Sequence, residues 1–209
     1  MKIRKIHRSF KGVCLNPKSK LSDEQCKKLA VGAMYASQQG AYQNSIETGI
    51  SDLLPKILGE WWGIESTDAA KEELDYLCEK GYRYYFPFVY QAFLLGKPEA
   101  QDEIFQQNMT SQEDYDKIVA QFQNLQETFD ELIRCKVVAE KEELLHYGVA
   151  GWDAGRICFL ARACCEMGYI TEAEAWKYID LAYNMAHSTF SSWKDMGMSY
   201  VIGLSLIHI

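Results

Sequence analysis

Two charged residues three apart, Asp153 and Arg156, stand in an otherwise apolar segment that opens Gly151-Trp152. At about 100° per residue, Val149, Trp152, Arg156, Leu160, Ala163 and Met167 point within about 60° of one direction. Arg156 therefore lies at the centre of an apolar stripe. Asp153 precedes it by an i, i+3 step on the same face, a spacing at which a carboxylate and a guanidinium meet. A guanidinium on a buried stripe has to be paired, because removing its partner costs about 3–5 kcal/mol. Such a pair offers two kinds of chemistry. One is a polar clamp that fixes the helix against its neighbours. The other is capture of an anion by an arginine that the aspartate holds in place, with Trp152, Trp193 and Tyr200 as walls. The clamp is the favoured expectation. Arg162 points to the opposite side, with Glu166 four residues on, and is expected to form an ordinary surface pair.

The remaining chemistry-bearing residues have plainer explanations. Glu174 closes the pattern Thr171-Glu172-Ala173-Glu174, a capping box in which threonine and glutamate satisfy free N–H groups of a first helical turn. The seven cysteines, at 14, 26, 78, 135, 158, 164 and 165, follow no framework spacing. They are expected to be reduced thiols serving as small apolar residues. Cys164 and Cys165 diverge by about 100° on a helix and cannot hold one ion together. His187 is expected at the surface or at a helix end, and nothing in the sequence marks His146 or His187 as close to a cysteine. There is no H-E-x-x-H, C-x-x-C, phosphate-cradling glycine loop, dinucleotide fingerprint or G-x-S-x-G elbow, so no catalytic residue, metal site or cofactor is assigned.

These residues must be positioned by helices. The chain has 209 residues, 48% hydrophobic and 24% charged, the composition of a globular protein able to bury a large core. Its formal net charge of −7 works against a phosphate-backbone partner, so no nucleic-acid role is expected. No apolar run approaches the length needed to span a bilayer, and no secretory core follows the first charges, which predicts a cytoplasmic location. Lys2, Arg4, Lys5, Arg8 and Lys11 alternate with Ile3, Ile6 and Phe10. This segment, within residues 1–20, is expected to be a solvated basic tail or short docking segment, with contact to an anionic membrane surface through residues 1–12, or to RNA, as the weaker reading.

Almost every longer stretch has the helical period and none has the strict alternation of a half-buried strand, predicting a single-domain all-α bundle of about seven to eight helices. Ser22-Asp23-Glu24-Gln25 is a capping box, opening a helix expected to run to Gln39 and stop at Gly40. A shorter helix is expected over 49–62 with Pro55 in its first turn and Trp61 and Trp62 on its buried side. The next starts near Ser66 or Thr67 and ends before Gly81, which is placed to be its C′ residue. Residues 82–95 are aromatic nearly all round, with Pro87 marking a kink or a start. Helices over 99–107 and, opened by Ser111, over 112–143 follow. Ser192 opens the last, in which Gly197 suggests a close helix approach.

With Leu160-Ala161-Arg162, Ser192-Trp193 and Ser199-Tyr200-Val201-Ile202-Gly203, the segments Gly151–Arg156 and Gly168–Trp176 carry a pattern: W-D-x-x-R, G-Y-[IL]-[ST]-x-x-E-A-W, S-W and Y-x-x-G. The pattern resembles that of the bacterial DUF1266 family of uncharacterised proteins. Trp62-Gly63-Ile64 and Leu74-Asp75-Tyr76-Leu77 fit as well, so the resemblance covers about residues 21–203. It implies an α-helical domain and hands over no reaction. The chain departs from the pattern at Tyr82, where histidine is frequent, and at Leu204, where arginine follows the glycine. Leu204-Ser205-Leu206-Ile207-His208-Ile209 is one reading frame of CTGTCTCTTATACACATC, a transposon end used in sequencing-library adapters, so residues 204–209 are expected to be read-through. The functional expectation is a non-catalytic protein-interaction or regulatory module with an unknown protein partner. The alternative is a small-ligand or anion-binding domain, with hydrolysis as one use, built on Arg156 and Asp153.

Overall fold

The computed structural model describes residues 11–207, and among these there are helices and loops with no strand. Of the basic segment expected within residues 1–20, residues 1–10 lie outside the described residues. Lys11 at its end is tied down, donating from Nζ to the Gln39 carbonyl at 3.1 Å.

The described chain divides into two compact units, each discontinuous in sequence. One comprises residues 80–152 and 192–207, the other residues 11–79 and 153–191. One crossing between them falls at Trp152/Asp153, inside a helix, which is why no Gly-, Ser- or Pro-rich linker marks it.

In the second of these units, α1 (Asp23–Ala30) begins with the expected box: Gln25 N–H donates to Ser22 Oγ, and Gln25 Oε1 accepts from Ser22 N–H. The helix expected to continue to Gln39 is broken, and α2 (Ala33–Gln39) starts anew after Gly32. The break brings Gly32 against a buried thiol. A Cβ on Gly32 would lie 2.7 Å from Cys158 Sγ. Gly40, at φ 77°, ends α2 as expected.

Residues 49–62 form a 3₁₀ turn (Ser51–Leu53) and a π-helical stretch (Lys56–Trp61) in place of one regular helix. The wider π turn rotates the side chains out of the 3.6-residue register. Trp61, expected inside, is 56% exposed, while Ile57 and Leu58 are buried. The following helix, α3 (Thr67–Glu79), is capped by Ser66, whose Oγ accepts from Ala69 N–H at 3.2 Å.

In the other unit, α4 (Gly81–Leu95), α5 (Pro98–Asn108) and α6 (Gln112–Arg134) pack on one another. Gly81, at φ 57°, makes the turn out of α3, as its placement predicts. Pro87 lies inside α4 at an exposed position, where its missing N–H removes one rung of the ladder without ending the helix. The long helix expected over 112–143 stops at Arg134. Lys136 takes the left-handed conformation (φ 58°), and a separate α7 (Glu142–Tyr147) follows. The two broken helices raise the total to ten α-helices among the described residues.

The helix that follows α7 is α8 (Ala150–Glu166). Every residue from Ala150 to Cys164 is buried, so the helix has no solvent side. After it, α9 (Glu172–Thr189) packs on α1 and α3, while α10 (Trp193–Ser205) packs on α6 and α7. Leu204 and Leu206 are buried, and Asn124 Nδ2 donates to the Leu206 carbonyl at 3.0 Å.

Candidate functional site

Asp153 and Arg156 form the expected i, i+3 pair, with Arg156 Nη2 donating to Asp153 Oδ1. Asp153 is 0% exposed and Arg156 6%, so both charges have left water. One aromatic partner of Arg156 is Trp62, a residue the motif pattern did not tie to it. In the unit that holds the ion pair, the Arg156 guanidinium lies over the ring of Trp62, 5.7 Å from its centroid, a cation–π arrangement. Tyr35 belongs to the same cluster. Burial pushes its hydroxyl pKa up, opposed by a hydrogen bond from Trp62 and the positive charge of Arg156. The Tyr35 ring also packs on Phe159, with centroids 4.9 Å apart.

Of the expected walls, two are buried and one is exposed. Trp152 (4% exposed) and Tyr200 (0%) meet edge to face, with centroids 5.1 Å apart. They belong to the close contact of α8 with α10. Gly151 N–H donates to Ser199 Oγ at 3.0 Å, and a Cβ on Gly151 would come within 2.5 Å of the Met196 carbonyl oxygen. A Cβ on Gly203 would overlap Trp152. Close approach thus rests on Gly151 and Gly203. Trp193, in contrast, is 61% exposed in the first turn of α10. Ser192 caps that turn as predicted, accepting from Asp195 N–H.

Arg162 departs most from expectation. It is 0% exposed rather than at the surface, because α8 is covered on every side. Its Nη2 donates to the carbonyls of Tyr42 at 2.6 Å and Glu47 at 3.1 Å, and its Nε donates to that of Ile46 at 3.4 Å. Glu166, expected to pair with it on the surface, accepts from Thr48 N–H at 2.6 Å. Two side chains of α8 thereby hold the irregular 42–48 loop by its backbone. That loop is tied in turn to the preceding irregular segment. Asn16 N–H donates to Asn44 Oδ1 at 2.7 Å, and Asn16 Nδ2 donates to Ser45 Oγ at 3.2 Å. Burial lowers the Arg162 pKa, and the charge of Glu166 offsets part of this.

Glu174 behaves as a capping residue. It accepts from Thr171 N–H at 2.8 Å and pairs with Lys71 at 2.8 Å. Lys71 foremost, with the Thr171 backbone N–H, holds its carboxyl down at about 2. A second buried carboxylate escaped the sequence reading. Asp114, on α6, accepts from Tyr85 Oη at 2.5 Å and Lys80 Nζ at 3.3 Å. The Tyr85 hydrogen bond, then Lys80 and the capping Ser111, lower its pKa against the effect of burial.

The cysteines are free thiols. Burial pushes Cys158 up to about 11 and Cys164 up to about 12, which keeps both protonated and poorly nucleophilic at neutral pH. His146 and His187 are exposed. Among the described residues no three His, Cys, Asp or Glu side chains converge as a metal site would require. No helix of the described residues is long and apolar enough to cross a membrane.

Comparison with curated proteins and with solved structures gave no significant match. Comparison with protein families matches residues 57–208 to the family described as a protein of unknown function, DUF1266. The match includes the Asp153/Arg156 pair, Arg162, Glu174 and Trp193, starts after the 42–48 loop, and runs through the buried Leu204 and Leu206. It spans well over half of the sequence, and the chain belongs to the DUF1266 family.

Proposed function

We propose that this protein is a non-catalytic protein-interaction or regulatory module acting in the cytoplasm. The observation that carries the reading is the outer face of α4. One face of that helix is core, with Tyr85, Phe86, Val89 and Ala92 buried. The opposite face follows the helical repeat through Tyr84, Pro87, Gln91, Leu94 and Leu95, all exposed. Tyr84 is 39% exposed, Leu94 44% and Leu95 49%. A helix that is apolar all round belongs in an interior, so an apolar outer face is a surface suited to being covered by a partner. The polar residues of the family motifs support the same reading from the other side. Asp153 and Arg156 are buried and bonded to each other, and Glu174 is engaged in its cap.

The test is co-purification from the source cell, comparing wild type with a Tyr84→Ser/Leu94→Asp/Leu95→Asp variant. Wild type is expected to bring down one stoichiometric protein that the variant loses while keeping its helical circular dichroism and melting temperature. Failure to recover a stoichiometric partner, or its retention by the folded variant, overturns the proposal.

A further inference from the structure

Arg162 offers five N–H donors in a planar fork, and the loop carbonyls account for only part of them. Nε and Nη2 face Ile46, Tyr42 and Glu47, whereas Nη1, equally buried, has no hydrogen-bond partner among the described residues. The neighbouring acid does not fill that role: Glu166 turns Oε2 to the Thr48 N–H and makes no hydrogen bond to Nη1. Unmade hydrogen bonds on a cation removed from water are among the most costly arrangements a protein interior can hold, so such groups are paired or solvated.

We infer that Nη1 is bonded to a small non-protein acceptor enclosed beside the 42–48 loop: an ordered water molecule or a halide ion. The chemistry limits the class. Nη1 carries only donors, so the ligand has to accept, which excludes metal cations and ammonium groups. The complete burial of Arg162 limits it to the size of one enclosed water or ion. The three carbonyls are neutral and Glu166 offsets only part of the guanidinium charge, which leaves room for an anion. A buried water is the neutral alternative with the same hydrogen bond.

The test is a pair of crystal structures of the full chain, one grown in bromide and one in halide-free buffer. Density within hydrogen-bonding distance of Nη1 is expected in both. Anomalous signal at that position in the bromide crystal assigns a halide, and density there without such signal assigns water. Absence of density at Nη1, or an Nη1 turned onto an oxygen of the protein, overturns the inference.

Discussion

Two arginines six residues apart on α8 solve the problem of burial in different ways. Arg156 meets a carboxylate on the preceding turn of its own helix and stacks on Trp62. Arg162 makes its hydrogen bonds to carbonyls of a loop that lies 115 to 120 residues earlier in the chain. The first arrangement cancels a charge with a charge and is local in sequence. The second spends a charge on neutral dipoles and secures a segment that has no helix of its own. Removing the two residues should therefore strand different groups: a buried carboxylate that has lost its arginine in one case, loop carbonyls in the other.

The largest effect is expected at the ion pair. Arg156→Ala leaves the fully buried Asp153 carboxylate without its cation and should cost about 3–5 kcal/mol in urea unfolding. Arg156→Lys should recover much of that loss, since a point charge still answers a single carboxylate. At Arg162 the expected loss is smaller, about 2–4 kcal/mol for Arg162→Met, because the stranded groups are neutral and an opened loop can return them to water. Here lysine should rescue little, because an ammonium does not reproduce a planar fork shared among three carbonyls. Equal rescue by lysine at both positions would erase the distinction between them. If instead both Arg156 variants unfold alike, more than charge is being supplied at that site.

The smallest effect sharpens the contrast by moving to an exposed charge. Glu174 has a folded-state pKa depressed to about 2 by Lys71 and the Thr171 N–H, against about 4.3 for an unperturbed glutamate. A depressed pKa stabilises the fold above the unfolded value, and that contribution fades as pH falls from about 4.3 toward about 2. Glu174→Gln keeps a residue able to close the capping box and removes only the charge. Its melting temperature should fall slightly below wild type above about pH 5, and the two curves should merge near pH 2. A gap independent of pH would assign the effect to the cap rather than to the ion pair.

Helix starts were legible because capping is a transaction among residues three apart. Ser22, Ser111, Thr171 and Ser192 all receive the N–H bonds that their spacing predicts. Helix interiors were less legible. Gly32 interrupts one helix at its contact with Cys158, and the π turn at 56–61 carries Trp61 outward. Close helix approach was expected in this last helix, and the structure shows it at Gly203, which lies against Trp152. Arg162 was misplaced for a reason that is physical as well. Helical angles rank residues around one helix, but they assume that one side faces water.

The sequence by itself determined the all-α class, the capped starts of the helices, the family, and the meeting of Asp153 with Arg156, because each depends on neighbours along the chain. Only the tertiary structure decided that α8 is covered all round, that Trp62 and Tyr35 join Arg156 while Trp193 stays in solvent, and that Arg162 holds the 42–48 loop. Those outcomes depend on which distant segments arrive at a given face, and a periodic pattern carries the direction of a side chain without the identity of what it meets.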